Sequence, residues 1–368
     1  MSELDLLYTD VEDDLRASVR ALLADRCGAP GVTALYDGDR SIVSGLWKAL
    51  AADLGLAGLL VPEEHGGAGA SAREAAVVLE ELGRSVAPVP FLTSSVVATA
   101  LLLETGAAGA ALLAGLAAGE RTAALAVPLS AAPQDAPRTT VRAEGGRLTG
   151  TVTSVAGALE ADVLLVPARA GETVALYAVP AAEAVRTPVV SLDMTRQLAD
   201  LAFDTASGEP LLTDAAPAIG RALLTGAALL ASEQAGLAQW CLHATVAYLK
   251  ERKQFGRVVG GYQALKHRLA DLFTDVESAG AAARQAAAAL AAGDPDAELA
   301  AVVAQAYCGD LAVRAAEEAV QLHGGIGMTW EHPAHLYLKR AKADQIALGT
   351  PAAHRARLAV LADLPPAP

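Results

Sequence analysis

The chain has 368 residues, 53% of them hydrophobic but only 4% aromatic, and carries a formal net charge of −14. Such a length supplies two or three domains around a large aliphatic core. The acidic balance argues against nucleic acid and an anionic membrane surface as partners, while local basic clusters can still hold a small anionic ligand.

Thr9-Asp10-Val11-Glu12 reads as an N-cap followed by acids in a first turn, and Leu15, Val19, Leu22 and Leu23 continue at helical spacing. A second helix is expected over Ser41–Leu54, a Gly-rich loop at Glu63–Gly69, and a third helix from a Ser71 cap to Leu82, stopped by Gly83. More helix follows from about Thr93 to Ala118. The composition changes near Thr122. Thr122–Leu129, Arg138–Ala143, Arg147–Val155, Asp162–Ala168, Thr173–Val179 and Gln197–Phe203 read as strands, with a hairpin turn at Gly145-Gly146. Helices return over Ile219–Lys253, Gln263–Ala292, Ala297–His323, Leu336–Leu348 and Ala352–Leu361. The expected fold is α+β and mostly α: an N-terminal helical domain (1–120), a middle antiparallel β domain (121–212) and a C-terminal four-helix bundle (213–368).

Cys27, Cys241 and Cys308 are odd in number and widely spaced, which gives neither a disulfide framework nor a metal-ligand set. Glu331-His332 and His335 are interrupted by Pro333 and lack a third ligand, so no metal site is expected. The acidic, apolar-poor start (1–14) does not read as a signal peptide, and no uninterrupted apolar run of about 20 residues suggests a membrane span. A cytoplasmic location is the expectation.

Two stretches carry chemistry. Arg252-Lys253-Gln254-Phe255-Gly256 ends one long helix, and Gln321-Leu322-His323-Gly324-Gly325-Ile326-Gly327 ends another. Each puts a cation or an amide at a helix end, beside backbone bare enough for a phosphate or an adenine to approach. The plainer alternative is that Arg252 and Gly324-Gly325 merely finish their helices.

In this order, and together with Leu54-Gly55-Leu56 and Pro62–Gly69, these motifs resemble the acyl-CoA dehydrogenase family over essentially the whole chain. The resemblance implies FAD as cofactor and oxidation of an acyl-CoA to its 2,3-enoyl thioester. In that chemistry a carboxylate takes the α-proton and the β-hydrogen leaves as hydride. It also implies that Arg252, Gln254, Phe255, Gln321, Gly324, Gly325 and Gly327 touch the adenosine and diphosphate of a neighbouring subunit's FAD. An electron-transfer flavoprotein or a similar acceptor would take the electrons onward.

The departures are selective. The family's base is a Glu directly before a Gly-Thr pair, but Leu348 precedes Gly349-Thr350 here. The alternative position, early in the first bundle helix, falls near Gly226, between Thr225 and Ala227. The family's flavin- and thioester-binding loop carries an acid and glycines, whereas Ala126–Pro133 has neither. The strand that would pack an aromatic residue on the flavin reads Gly150-Thr151-Val152-Thr153-Ser154-Val155-Ala156-Gly157. Residues for a partner's FAD remain, and residues for the chain's own chemistry are lost. This resembles the non-catalytic subunit of heteromeric actinobacterial acyl-CoA dehydrogenases, whose partner carries the catalytic Glu and whose substrate can be a bulky steroid side chain. The expected isolated chain is inactive and has no catalytic residue of its own. One alternative is a self-sufficient dehydrogenase using Glu233, two turns beyond Gly226. The plainer reading of Glu233 is a hydrogen bond within the bundle, and a second alternative for the chain is a non-redox protein on the same scaffold that binds an acyl carrier or CoA without flavin. His267 and His323 are possible proton carriers, more simply helix-end residues. Lys339-Arg340-Ala341-Lys342 reads as a solvated basic face or a contact for CoA phosphates, and Asp344 is given no catalytic role.

Overall fold

A computed structural model describes residues 4–135 and 139–364. Helix α1 (Asp10–Arg26) starts with a complete capping box between Thr9 and Glu12. A short α2 (Ala29–Ala34), which the sequence pattern did not announce, follows with Pro30 in its first turn. α3 (Ser41–Lys48) runs on into a π-helical turn at Ala49–Asp53. α4 (Ala72–Arg84) has a second capping box, between Ser71 and Glu74. The single helix expected over 93–118 is broken into a π-helical stretch at Phe91–Ala98, then α5 (Thr99–Leu103) and α6 (Ala110–Ala117). The cause is local: the Thr105 hydroxyl donates back to Leu102 O at 2.6 Å, and Gly106 turns the chain at φ +57°.

The sheet comprises β1 (Ala123–Leu125), β2 (Arg142–Glu144), β3 (Arg147–Ala156), β4 (Val163–Ala170), β5 (Thr173–Pro180), β6 (Ala184–Val189), β7 (Leu198–Ser207) and β8 (Glu209–Leu212). Its order is β6-β7-β3-β2-β4-β5-β8, with β1 on β4. Most pairs are antiparallel as expected, but β1 and β2 both run parallel to β4. Gly145 and Gly146, both at positive φ, make the β2–β3 turn. β6 and β8 escape sequence reading because each contains a proline, Pro188 and Pro210. Both lie at the ends of the strand order, where a missing N–H is tolerated. Arg138, where β2 was expected to start, lies outside the described residues.

The bundle contains α7 (Ala216–Glu251), α8 (Gln263–Ala292), α9 (Ala297–His323), α10 (Ala334–Ile346) and α11 (Pro351–Leu361). Between α7 and α8, β9 (Lys253–Gln254) and β10 (Arg257–Val258) form a small hairpin. The span Ala297–Met328 is long and apolar enough to cross a membrane by composition, and 61% of its most apolar window is buried inside the molecule.

One apolar cluster fills the sheet's own interior, around Leu148, Leu164, Val179 and Leu201. A second is shared: Val19, Leu79 and Leu101 of the N-terminal helices pack in the same core as Leu165 of β4 and Leu229, Leu230 and Ala315 of the bundle. Gly83 does not stop α4; the helix continues through it to Arg84. A Cβ on Gly83 would strike the carbonyl oxygen of Glu233, and one on Gly236 would strike that of Glu80. The two glycines therefore let α4 and α7 cross with their backbones in contact.

Candidate functional site

The structure brings the two motif ends together. The ring of Tyr248, in the last turn of α7, lies 4.6 Å from that of buried His323, the last residue of α9. Beyond Tyr248 the chain leaves α7 at Arg252 and enters the β9–β10 hairpin. At its tip Phe255 sits at φ +52° and is 90% exposed. Beyond His323 the chain turns at Gly324, φ +63°. Arg252, Gln254 and Gln321 are exposed. A Cβ on Gly256, Gly324 or Gly325 would meet nothing within 4 Å, so these backbones are open to an approaching group. Gly327 differs: it is buried, and a Cβ there would come within 2.5 Å of Val320 O, so the chain itself uses its bareness. Open glycines, exposed amides and a guanidinium lie just beyond the C-termini of two adjoining helices, and there it is the Arg252 guanidinium, not the helix ends, that can pair with an anionic group.

The three departures from the family pattern also meet in space. The Leu348 N–H donates to Leu129 O at 2.8 Å, and the Leu129 N–H donates to Ser154 O at 2.9 Å. One residue of the 126–133 loop thus ties the β3 strand to the turn before α11. Leu348 is held at φ +55°, an uncommon conformation for a leucine. It is fixed there by that hydrogen bond and by buried His354, whose Nε2 donates to Leu348 O at 3.0 Å. Burial holds the His354 imidazole below its ordinary pKa, consistent with a neutral ring that donates once. A Cβ on Gly226 would lie 2.6 Å from Val97 Cγ2 and 3.0 Å from Leu348 Cδ1, so both possible base positions face the same spot. What remains there is an apolar hollow of only about 30 Å³, lined by residues such as Leu92, Val97, Val127, Leu129, Leu223 and Leu348, with no carboxylate. That is space on the order of one water molecule.

Glu233 lies away from that hollow's lining. It is 2% exposed, and both its oxygens are taken: Arg196 Nη2 donates to them at 2.7 and 2.6 Å, and Arg340 Nη1 donates to Oε1 at 2.5 Å. Arg340 also reaches Asp193 at 2.9 Å, and Arg196 pairs with Asp344. Buried charges from the sheet's exit loop (Asp193, Arg196), α7 (Glu233) and α10 (Arg340, Asp344) thereby form one network. Burial raises the pKa of Asp344, to about 8; Arg196 opposes this, while Glu233 and Asp193 add to it. A carboxylate held by two guanidiniums is poorly placed to take a proton from a substrate.

The basic run 339–342 is neither a common solvated face nor a phosphate cradle. Arg340 is buried in the network. Lys339 Nζ sits 3.9 Å above both the Tyr36 and Trp330 rings, and Lys342 pairs with Glu317 at 2.9 Å. His332 lies against His323 with ring centroids 4.1 Å apart and planes tilted by 39°, and His267 is exposed beside Gln263. Burial and the neighbouring Lys339 push His335 down to about 4. Among the described residues no group of three metal-ligating side chains converges. Sequence reading missed Arg196 and Asp193, whose partners Glu233 and Arg340 are distant in the chain, and His354, which bonds the Leu348 carbonyl one turn before it.

Comparison with known proteins agrees with this geometry. Residues 9–120 match the N-terminal domain of acyl-CoA dehydrogenases, and residues 216–360 match their C-terminal domain. The chain is 36% identical over 339 residues to the acyl-CoA dehydrogenase IpdE2 of Mycobacterium tuberculosis, covering 92% of each. Among solved structures it is similar to a steroid ACAD variant of Tcur3481-Tcur3483, with TM-score 0.85 and 31% identity, covering 96% of this chain and 98% of that one. It is also similar to the ChsE4-ChsE5 complex from Mycobacterium tuberculosis, with TM-score 0.87 and 26% identity, covering 99% and 100%.

Proposed function

The chain belongs to the acyl-CoA dehydrogenase family, and we propose that within it the chain is the non-catalytic subunit of a heteromeric enzyme. The family is FAD-dependent. In this reading the partner subunit carries the catalytic Glu and seats the flavin ring, and the complex, a heterotetramer, oxidises an acyl-CoA thioester between its α and β carbons. FAD, when bound, accepts the electrons that leave the substrate as hydride. This chain's part is to bind and orient: Arg252 pairs with the diphosphate, Gln254 and Gln321 donate to it, Phe255 offers a flat apolar surface, and Gly324 and Gly325 admit close approach.

The observation that carries the reading is the filled hollow. Val97 and Leu348, which a Cβ on Gly226 would strike, line it together with Leu129, which is bonded to Leu348, and no carboxylate lines it. In this reading the packing leaves the chain no proton acceptor at this spot and little space beside Leu348. The self-sufficient reading depends on Glu233, whose oxygens are both bonded to arginines. A bulky acyl group, such as a steroid side chain, is the substrate class suggested by similarity to a steroid ACAD. An electron-transfer flavoprotein is the natural acceptor, and the cytoplasm the natural compartment.

The test is purification of this chain alone and co-purified with its partner. Alone it is nearly colourless and inactive. With a partner that retains the Glu, it yields a yellow complex with dehydrogenase activity. Stoichiometric flavin and turnover in the lone chain would overturn the proposal.

A further inference from the structure

A hollow of about 320 Å³ opens between the N-terminal helices and the bundle, built by other residues than the two regions above. It falls within the usual range for small-molecule sites, roughly 300–1,000 Å³. An aromatic pair borders it: Trp240 of α7 and Tyr337 of α10 stack face to face with centroids 3.4 Å apart and planes within 4°, so each ring spends one face on the other. Tyr337 is buried and its hydroxyl is spent on Arg84 O at 2.7 Å, so the pair presents apolar ring carbon to the hollow, chiefly from half-buried Trp240. Leu23, Val32 and Leu336 make apolar walls. Cys27 adds a thiol that burial raises to about 11, which keeps it protonated and uncharged at neutral pH.

The rim is cationic and incompletely neutralised. Arg20 and Arg84 both line it, with Glu81 as the acid between them. Glu81 is already saturated: Arg20 donates to it at 2.8 and 2.6 Å, and Arg16 at 3.2 Å. Arg84 is left with the neutral amide of Gln239 at 2.9 Å, and Glu81 stands 3.9 Å from its Nε. The field is felt nearby. His243 is held below its ordinary pKa by burial first and by Arg84 next, with Arg20 adding to the effect against Glu277. A guanidinium with donors to spare in a hollow that an aromatic pair also lines matches a carboxylate on a flat apolar body.

The geometry points to a second ligand site here, for a small planar monocarboxylate, with its carboxylate on Arg84 and its apolar body against the Trp240–Tyr337 pair. This site does not rest on the reading of the dehydrogenase function. Because its walls come from α1, α2 and α4 on one side and α7 and α10 on the other, an occupant also ties the N-terminal helices to the bundle.

The test uses the full chain and 2-naphthoate, with neutral 2-naphthamide as the matched control, by isothermal titration. We expect saturable one-to-one binding of the acid, at least tenfold tighter than the amide, and a rise in Tm with acid concentration. Ala24 lines the mouth on the exposed side of α1. Ala24→Trp should abolish binding of both compounds while leaving the Tm of the unliganded chain within a few degrees. Arg84→Gln should bring the acid down to the affinity of the amide without changing the latter. No saturable binding, equal affinities for acid and amide, or binding that survives Ala24→Trp would each overturn the site. An acid preference that persists in Arg84→Gln would overturn the role given to Arg84.

Discussion

Gly226 and Leu348 lie far apart in the chain, yet a single carbon added to Gly226 would stand 3.0 Å from Leu348 Cδ1. The helix start and the turn before α11 are two alternative places from which a base could serve one reaction centre, and both are occupied by apolar packing. Gly226→Ala should therefore cost about 1–3 kcal/mol through overpacking against Val97 and Leu348. Leu348→Glu should destabilise further by burying a carboxylate without a partner. Urea denaturation of the lone chain measures both, and neither variant should gain dehydrogenase activity.

The Glu233 network gives a prediction of a different kind. Glu233→Gln strips charge from between two buried guanidiniums and should cost about 3–5 kcal/mol. In the assembled complex the surviving folded fraction should show an unchanged pH profile of kcat. A shift in that profile with little loss of stability would restore Glu233 as a base.

Asp344 faces Arg196, Glu233, Arg340 and Asp193, three acids in all against two cations. Its carboxyl has a higher pKa folded, about 8, than unfolded, about 3.9. A group so raised contributes stability that is fully present below the unfolded value and is lost as pH rises through the folded one. Wild type should thus lose stability between pH 6 and 9, and Asp344→Asn should flatten that slope. Denaturation midpoints at the two pH values decide the matter.

Glu12 behaves in the opposite sense. Burial alone would raise its pKa, but hydrogen bonds from Arg284, Arg73 and Thr9 outweigh this and hold the carboxyl well below the usual range. Its stabilisation is present above the unfolded value and is lost as pH falls below about 4.3. Glu12→Gln should weaken the chain at pH 7 and remove part of its acid sensitivity, as acid titration followed by circular dichroism will show.

Arg252, Gln254 and Phe255 are exposed on the lone chain. Arg252→Ala should leave its Tm unchanged within a degree or two, because no buried contact is lost. It should lower the FAD affinity of the complex about tenfold or more, the loss of one charge-assisted contact. Equilibrium dialysis of the complex against FAD measures that change.

Much of this was legible in the sequence, because the signals were local. Thr9 ahead of Asp10 and Glu12, and Ser71 as a cap, announce helix starts, and Gly145-Gly146 announces a turn. The three stretches that hold Ser154, Leu129 and Leu348 stand out in the sequence as departures from the family pattern, but their convergence was not legible, since only the fold joins them. Gly83 was misread for a related reason. A glycine in a helical pattern looks the same from sequence whether it ends the helix or admits another, and only the carbonyl of Glu233 distinguishes the two. Pro188 and Pro210 concealed edge strands because the edge is a property of the whole sheet.

The crossing at Gly83 and Gly236 carries a consequence for how this polypeptide can be cut or rearranged. Because the leading helices and the bundle share one interior and touch main chain to main chain, neither should survive as a fragment. A gene lacking the first 120 codons would encode a protein with a raw apolar flank, fit for degradation and not for assembly. The whole length should therefore melt as one cooperative unit, and its lineage should have kept or lost the front and rear segments together.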